Sequence, residues 1–346
     1  MLYTSTRDNQ TTWTARHALD NDRAQDGGLF VPVHLPRFSS EEILELLNMA
    51  PSDAAARILN LLFAGSMSGR DLEFLVGKEF FRIRKLNHRL TIGELWRNPE
   101  GEYDKTVQTL FSHLCGDHSN RSPSIWAKTA VELALIFGVF TQLEYRTVES
   151  LTESKDVAVA TGDFTAPMAA WYARQMGLPI GAILCCCNDN GGVWDLFRKG
   201  QMKTDIPPIP TNTPLCDIPV PTGLEWLIYE TLGTEGALGF AHAAETGDTY
   251  ELDQVSLSLL KKGLYASVVG QQRIMDIIPN VYSAGGYVLS PYSALCYLGL
   301  MDHRAMTGAN APALMLSHQN PADSEPLIAK AMGIDCADAR ERIKYS

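Results

Sequence analysis

The sequence predicts an α/β fold with a parallel sheet, and three observations carry that expectation. The 346-residue chain is 45% hydrophobic and 20% charged, enough apolar material to offset the ordering entropy of one large domain or two. A short apolar strand at Val157–Ala160 is followed by the turn Thr161-Gly162-Asp163, a helical stretch and a second apolar run, Ile180–Cys187. Strand, turn, helix and strand in that order form a parallel unit, whose ligands sit at the C-terminal strand ends. Further helical patterns at 39–80 and 124–143 supply covering layers.

Taken in order, residues 1–38 are turn-rich, with Asp26-Gly27-Gly28 ahead of the strand-like Leu29-Phe30-Val31 and with Pro32 and Pro36 as punctuation. Ser39-Ser40-Glu41-Glu42 reads as a helix start, with acidic residues in the first turn and Ile43, Leu44, Leu46 and Leu47 behind them. Ser52-Asp53 marks a second start, so 39–80 reads as two or three helices. Ser124–Leu143 is a long apolar helix. Pro167–Met176 is a shorter one, with Gly177 as its stop and Pro179 beyond. Residues 204–221 hold six prolines and form an extended connection. Beyond it, helices alternate with short apolar segments such as Tyr287-Val288-Leu289 and Ala313–Leu316.

Charge excludes some functions. Lys plus Arg number 29 against 40 Asp plus Glu, a net charge of −11, and the pI is near 5.2. Neither a nucleic acid nor an anionic membrane suits such a chain, since both are recognised through clustered basic residues. The stretch Met1–Arg7 has no long apolar run behind it, which predicts no secretory leader. The uncharged run Leu133–Leu143 is far below the ~20 residues of a transmembrane helix and reads as a buried core helix. Seven cysteines without a CxxC predict a reduced, cytoplasmic protein.

Few residues suggest chemistry by type alone. Cys185-Cys186-Cys187 lie on a strand, where successive side chains point to opposite faces, so they cannot converge on one ion and read as core. The eight histidines (17, 34, 88, 113, 118, 242, 303 and 318) have no metal-binding spacing, and no metal site is expected. Neighbours such as Asp117-His118 and Ser317-His318 do not give the geometry of a triad. Thr161-Gly162-Asp163-Phe164 is a strand-to-helix glycine turn of the kind that cradles phosphate. Asp163, however, places a negative charge there, so capping of the following helix is the favoured role.

Several segments resemble the threonine synthase family of fold type II pyridoxal-phosphate (PLP) enzymes. Tyr3-Thr4-Ser5-Thr6-Arg7 and Asp26-Gly27-Gly28-Leu29-Phe30-Val31-Pro32 are similar to the family's Y-x-S-T-R-G and D-G-G-L-Y-V-P. Ser119-Asn120 with Ile125-Trp126-Ala127-Lys128 resembles N-S-I-N-W-A-R at the start of an apolar helix. Thr161-Gly162-Asp163-Phe164 and Met176-Gly177-Leu178-Pro179-Ile180 resemble P-T-G-N-F-G-D and K-M-G-L-P-I. The likeness continues through Asn188-Asp189-Asn190, Phe197-Arg198-Lys199-Gly200, Asp217-Ile218 with Leu224-Glu225-Trp226-Leu227, and Leu289–Ala294. It spans nearly the whole chain in order.

Four departures from the family's pattern stand beside these matches. The family's E-L-F-H-G-P-T-x-A-F-K-D supplies the lysine that condenses with PLP. The run Glu94–Lys105 here places Asp104 at that position, with Lys105 after it. Only a primary amine forms the Schiff base, and a one-residue slip along a helix turns the side chain by roughly 100°. The phosphate turn reads Gly162-Asp163-Phe164-Thr165, with a threonine Cβ where the family has a second glycine. Asp163 there carries the phosphate's own sign, a repulsion of about 4 kcal/mol at ~4 Å. The family's S-G-D-T-G loop and small mobile domain have no counterpart between about 105 and 119, and A-T-A-H-P becomes Ser317-His318-Gln319-Asn320-Pro321.

The resemblance thus implies a three-layer, tryptophan synthase beta-like core over residues 81–346 with its small domain largely deleted, and a threonine-synthase-type N-terminal region over 1–80. It implies a protein inactive as a PLP enzyme, with a binding or regulatory role, no cofactor, and vestigial cofactor residues Gly162, Asp163, Phe164, Thr165 and His318. The alternative is a PLP-dependent lyase in which Lys105 or another lysine carries the cofactor and O-phosphohomoserine or a related amino acid is the substrate. A third possibility is unrelated chemistry built from Asp104, Lys105 and His318. Loss of a domain bares apolar surface, so a homo-oligomer or a protein partner is expected.

Overall fold

A computed structural model describes residues 1–116 and 121–346. Asp117, His118 and the Ser119-Asn120 motif lie outside the described residues.

The N-terminal region is a strand-and-helix layer. Strands β1 (Leu2–Ser5), β2 (Trp13–Thr14) and β3 (Phe30–Pro32) form a small antiparallel sheet with β1 in the middle. Helix α1 (Ala15–Asp20) lies between β2 and β3, and α2 (Ser40–Leu47), α3 (Pro51–Phe63) and α4 (Gly69–Val76) follow. The expected helix start at Ser39 is a full capping box: Ser39 Oγ accepts from Glu42 N (3.2 Å), and the Glu42 carboxylate accepts from Ser39 N (2.7 Å). Such a cap contributes about 1 kcal/mol. The second helix starts just ahead of Ser52-Asp53, with Pro51 at its first position.

The larger unit continues with the β4 (Ile83–Asn87) and β5 (Leu90–Glu94) hairpin, α5 (Tyr103–Cys115), α6 (Ile125–Phe140), β6 (Lys155–Ala160), α7 (Thr165–Met176), β7 (Ile180–Cys187) and α8 (Gly192–Lys199). After a short β8 (Gln201–Lys203) come α9 (Leu224–Thr246), β9 (Thr249–Glu251), α10 (Gln254–Leu260), β10 (Leu264–Val268), α11 (Gln271–Gly285) and α12 (Pro291–Thr307). Strand β11 (Ala313–Ser317) and helices α13 (Glu325–Met332) and α14 (Cys336–Tyr345) complete the chain. Six strands make the central sheet in the order β10-β7-β6-β11-β5-β4; all adjacent pairs are parallel except β4 against β5. The strands expected at Val157–Ala160 and Ile180–Cys187 are parallel neighbours in it, as the strand–helix–strand reading required.

Strand alternation sorts the core onto two faces. Val157, Val159, Ile183, Cys185 and Cys187 join the layer containing α3, α6 and α7, while Ala158, Leu184, Cys186 and Met315 join the layer of α11 and α12. All three adjacent cysteines are buried, each facing the side its parity dictates. Helix α6 is apolar around its whole circumference, and every residue from Thr129 to Phe140 is buried, including Glu132. None of the helices among the described residues is long and apolar enough to cross a membrane.

Two polar clusters tie distant segments of the chain together. Glu225 of α9 takes both Arg7 (Nε to Oε1 3.1 Å, Nη2 to Oε2 3.0 Å) and the Thr6 hydroxyl (2.5 Å), joining the N-terminal region to the larger unit. Asp217 clamps the proline-rich connection to the end of β7: its Oδ1 accepts from Asn188 (2.7 Å), Asn190 (3.1 Å) and the Thr211 hydroxyl (2.6 Å), and its Oδ2 from Thr211 N (2.9 Å).

Candidate functional site

A cavity of about 280 Å³ opens at the C-terminal ends of β6 and β11, where a parallel sheet is expected to hold a ligand. Five parts of the chain build most of it. The first turn of α5 supplies Tyr103 and Asp104, α6 supplies Lys128 and Glu132, and the β6–α7 turn supplies Thr161, Gly162, Asp163 and Thr165. His318 follows β11, and the segment held by the Asp217 clamp contributes Leu215, Cys216 and Ile218.

Five of the residues singled out in the sequence therefore meet in one place: Asp104, Gly162, Asp163, Thr165 and His318. Phe164 does not line the cavity. Its ring is fully buried in the core beneath the turn, and its backbone is left-handed (φ 74°), a costly conformation for a bulky residue, held by packing. Gly223 fits against this turn, its N–H donating to Asp163 O (2.9 Å); a Cβ there would stand 2.8 Å from that oxygen. Lys105 is exposed on α5 and is not among the lining residues.

The turn is closed upon itself. Asp163 Oδ1 accepts hydrogen bonds from Thr165 N (3.1 Å) and from the Thr165 hydroxyl (2.6 Å). A carboxylate thus already sits on the donors at the positive end of α7, where an incoming anion would have to bind.

Opposite the turn stands a second polar group. His318 Nε2 pairs with Glu132 Oε1 at 2.6 Å, and the Tyr103 hydroxyl donates to Glu132 Oε2 at 3.2 Å. The Tyr103 ring meets the His318 ring edge-on, 4.7 Å between centroids. Burial works against a charged imidazole, but Glu132, aided by Asp104 and Asp163, outweighs it and raises the His318 pKa. Burial also raises Tyr103, reinforced by Glu132, so its hydroxyl keeps its proton. Sequence reasoning missed Glu132, Tyr103 and Lys128 as site residues. The signal was present for two of them, since Lys128 and Glu132 are the charged residues of an otherwise apolar helix, spaced i, i+4 on one face. Among the described residues no group of three or more His, Cys, Asp or Glu side chains is placed to hold a metal.

Comparison with known proteins agrees with this architecture. Residues 2–80 match the family model described as threonine synthase N terminus. Mouse threonine synthase-like 1 is 26% identical over 212 residues, covering 60% of this chain and 28% of the mouse protein. The chain thus spans less than a third of the length of that relative. Threonine synthase of Pseudomonas aeruginosa is 19% identical over 98% of this chain and 92% of its own length. The crystal structure of PLP-bound threonine synthase from Brucella melitensis superposes with a TM-score of 0.81 at 18% identity, over 96% of this chain and 92% of the other. Residues 2–80 are thus similar to the N-terminal region of threonine synthases, and the chain shares its fold with a threonine synthase over nearly its whole length.

Proposed function

We propose that this threonine synthase-like protein does not work as a PLP enzyme, and that its cavity serves a binding or regulatory role. The observation that carries this reading is the bond from Asp163 to the backbone and hydroxyl of Thr165. A cofactor phosphate brought to the α7 N-terminus would meet a carboxylate of its own sign and donors already engaged. Asp104, which the resemblance aligns with the family's lysine, lines the cavity, and Lys105 is not among its lining residues. The residues present therefore do not fit PLP, and no step is assigned to it. The described residues between β5 and α6 hold a single helix, α5, in keeping with a small domain largely lost. Cover of the opened face by a second copy or a protein partner belongs to the same proposal, and a monomer by light scattering would count against it.

One observation favours a second reading. Lys128 is the lysine that lines the cavity, so a PLP-dependent lyase acting on O-phosphohomoserine or a related amino acid would be built on Lys128 rather than Lys105. Incubation of the protein with PLP, visible spectroscopy and borohydride trapping separate the two. The proposal expects no new absorbance band and no reduced adduct. A stoichiometric adduct mapped to Lys128 would establish the second reading.

A further inference from the structure

We infer that the cavity selects a small organic cation, a primary ammonium on a short apolar body; this rests on the reading that the cavity binds something other than PLP. The cavity's charges carry the argument. Glu132 is taken up by its 2.6 Å contact with His318. The remaining charged lining groups are Asp104, Asp163 and Lys128, which leaves an excess of one negative charge. Asp104 stands in the first turn of α5, and no hydrogen bond or ion pair holds its side chain among the described residues. Asp163 engages Thr165 through Oδ1, and its Oδ2 is left to accept.

The walls fix the rest of the ligand. Val107, Leu215, Ile218 and Leu316 are apolar, and Tyr103 and Tyr292 offer aromatic rings, whose faces attract cations. A phosphate or carboxylate would have to displace Asp163 from the α7 N-terminus and then lie beside two like charges. An ammonium is met by two carboxylates with accepting capacity to spare, and its hydrogen bonds to them are charge-assisted. The two substitutions that remove an anion site, aspartates at 104 and 163, thus create a site of the opposite preference in the same space.

The test is calorimetric titration of the full chain with three molecules of one shape: phenethylamine, 3-phenylpropionate and phenyl phosphate. The amine is expected to bind at least about tenfold more tightly than either anion. Asp104→Asn should weaken the amine by about tenfold, and this exposed position leaves the unfolding temperature unchanged within about 2 °C. Asp163→Asn should also weaken it and narrow the gap to phenyl phosphate. Equal or tighter binding of an anion, no binding of the amine, or an amine affinity indifferent to Asp104→Asn would each overturn the inference. If the amine fails while PLP also leaves no adduct, only this inference falls. If phenyl phosphate and PLP both bind the unaltered chain, the reading beneath it falls as well.

Discussion

The Asp217 clamp and the cavity it borders are both rich in polar side chains, and they differ in how those side chains are satisfied. Around Asp217 the carboxylate accepts four hydrogen bonds and each donor is fixed to a chain segment that needs holding. In the cavity Asp104 and Lys128 line open space, and Asp163 accepts from Thr165 at the N-terminus of α7. The clamp is explained by the fold alone. The cavity is not, because charges without partners persist only where water or a ligand meets them. The Glu132–His318 pair lies between these cases: it is buried and fully paired like the clamp, yet it faces the cavity.

That intermediate pair offers the largest effect. Glu132→Ala leaves His318 and the Tyr103 hydroxyl without their acceptor, and a loss of about 3–5 kcal/mol in urea unfolding is expected. Its pH dependence gives a sign. The folded His318 pKa is raised above the ordinary 6.5, so the pair's stabilisation is complete below that value and is lost as pH rises through the folded one. Unfolding free energy should therefore fall as pH is raised from 6 into the alkaline range, and Glu132→Gln should flatten that slope. A slope unchanged in Glu132→Gln would show that the imidazole's charge is not held by this partner.

Next in size is Asp217→Ala, which leaves Thr211 N without its acceptor, takes one acceptor from each of the Asn188 and Asn190 amides and should cost about 2–3 kcal/mol. It should also abolish ligand binding by releasing Leu215–Ile218 from the cavity wall; retained binding would separate the two regions that the comparison joins. The N-cap of α7 is Phe164 rather than the aspartate expected from the sequence, so Asp163→Asn keeps an oxygen for Thr165 N but loses charge beside the helix N-terminus, for a small cost of about 0.5 kcal/mol by thermal unfolding. The smallest effect is that of Lys128→Met. Removing the Lys128 ammonium from the cavity should tighten phenethylamine about threefold to fivefold, and weaker binding would place Lys128 on the ligand's side.

What was legible in the sequence follows the same division. Period and turn residues identified β6, α7 and β7, and parity alone placed Cys185, Cys186 and Cys187 in the core. The β4–β5 hairpin and α5 were not read, because Arg84, Lys85 and Asn87 sit on an edge strand whose exposed pattern hides its pairing. Asp104, Asp163 and His318 stood out as replacements at motif positions and do meet at one cavity. Glu132 did not stand out, since its importance comes from His318, 186 residues away in the chain. A contact of that kind has no local signature; it exists only once α6 and β11 pack side by side.

The account turns on Asp163 having taken the place of an external anion, and equilibrium dialysis of PLP tests this most directly. The unaltered chain is compared with the double variant Asp163→Asn, Thr165→Gly, in which the like charge and the Cβ are removed while the α7 N-terminus remains. The unaltered chain should retain no PLP at tens of micromolar, on the order of the affinity that a repulsion of several kcal/mol removes, and the double variant should bind measurably. Tight PLP binding by the unaltered chain, undiminished relative to the double variant, would contradict the central claim.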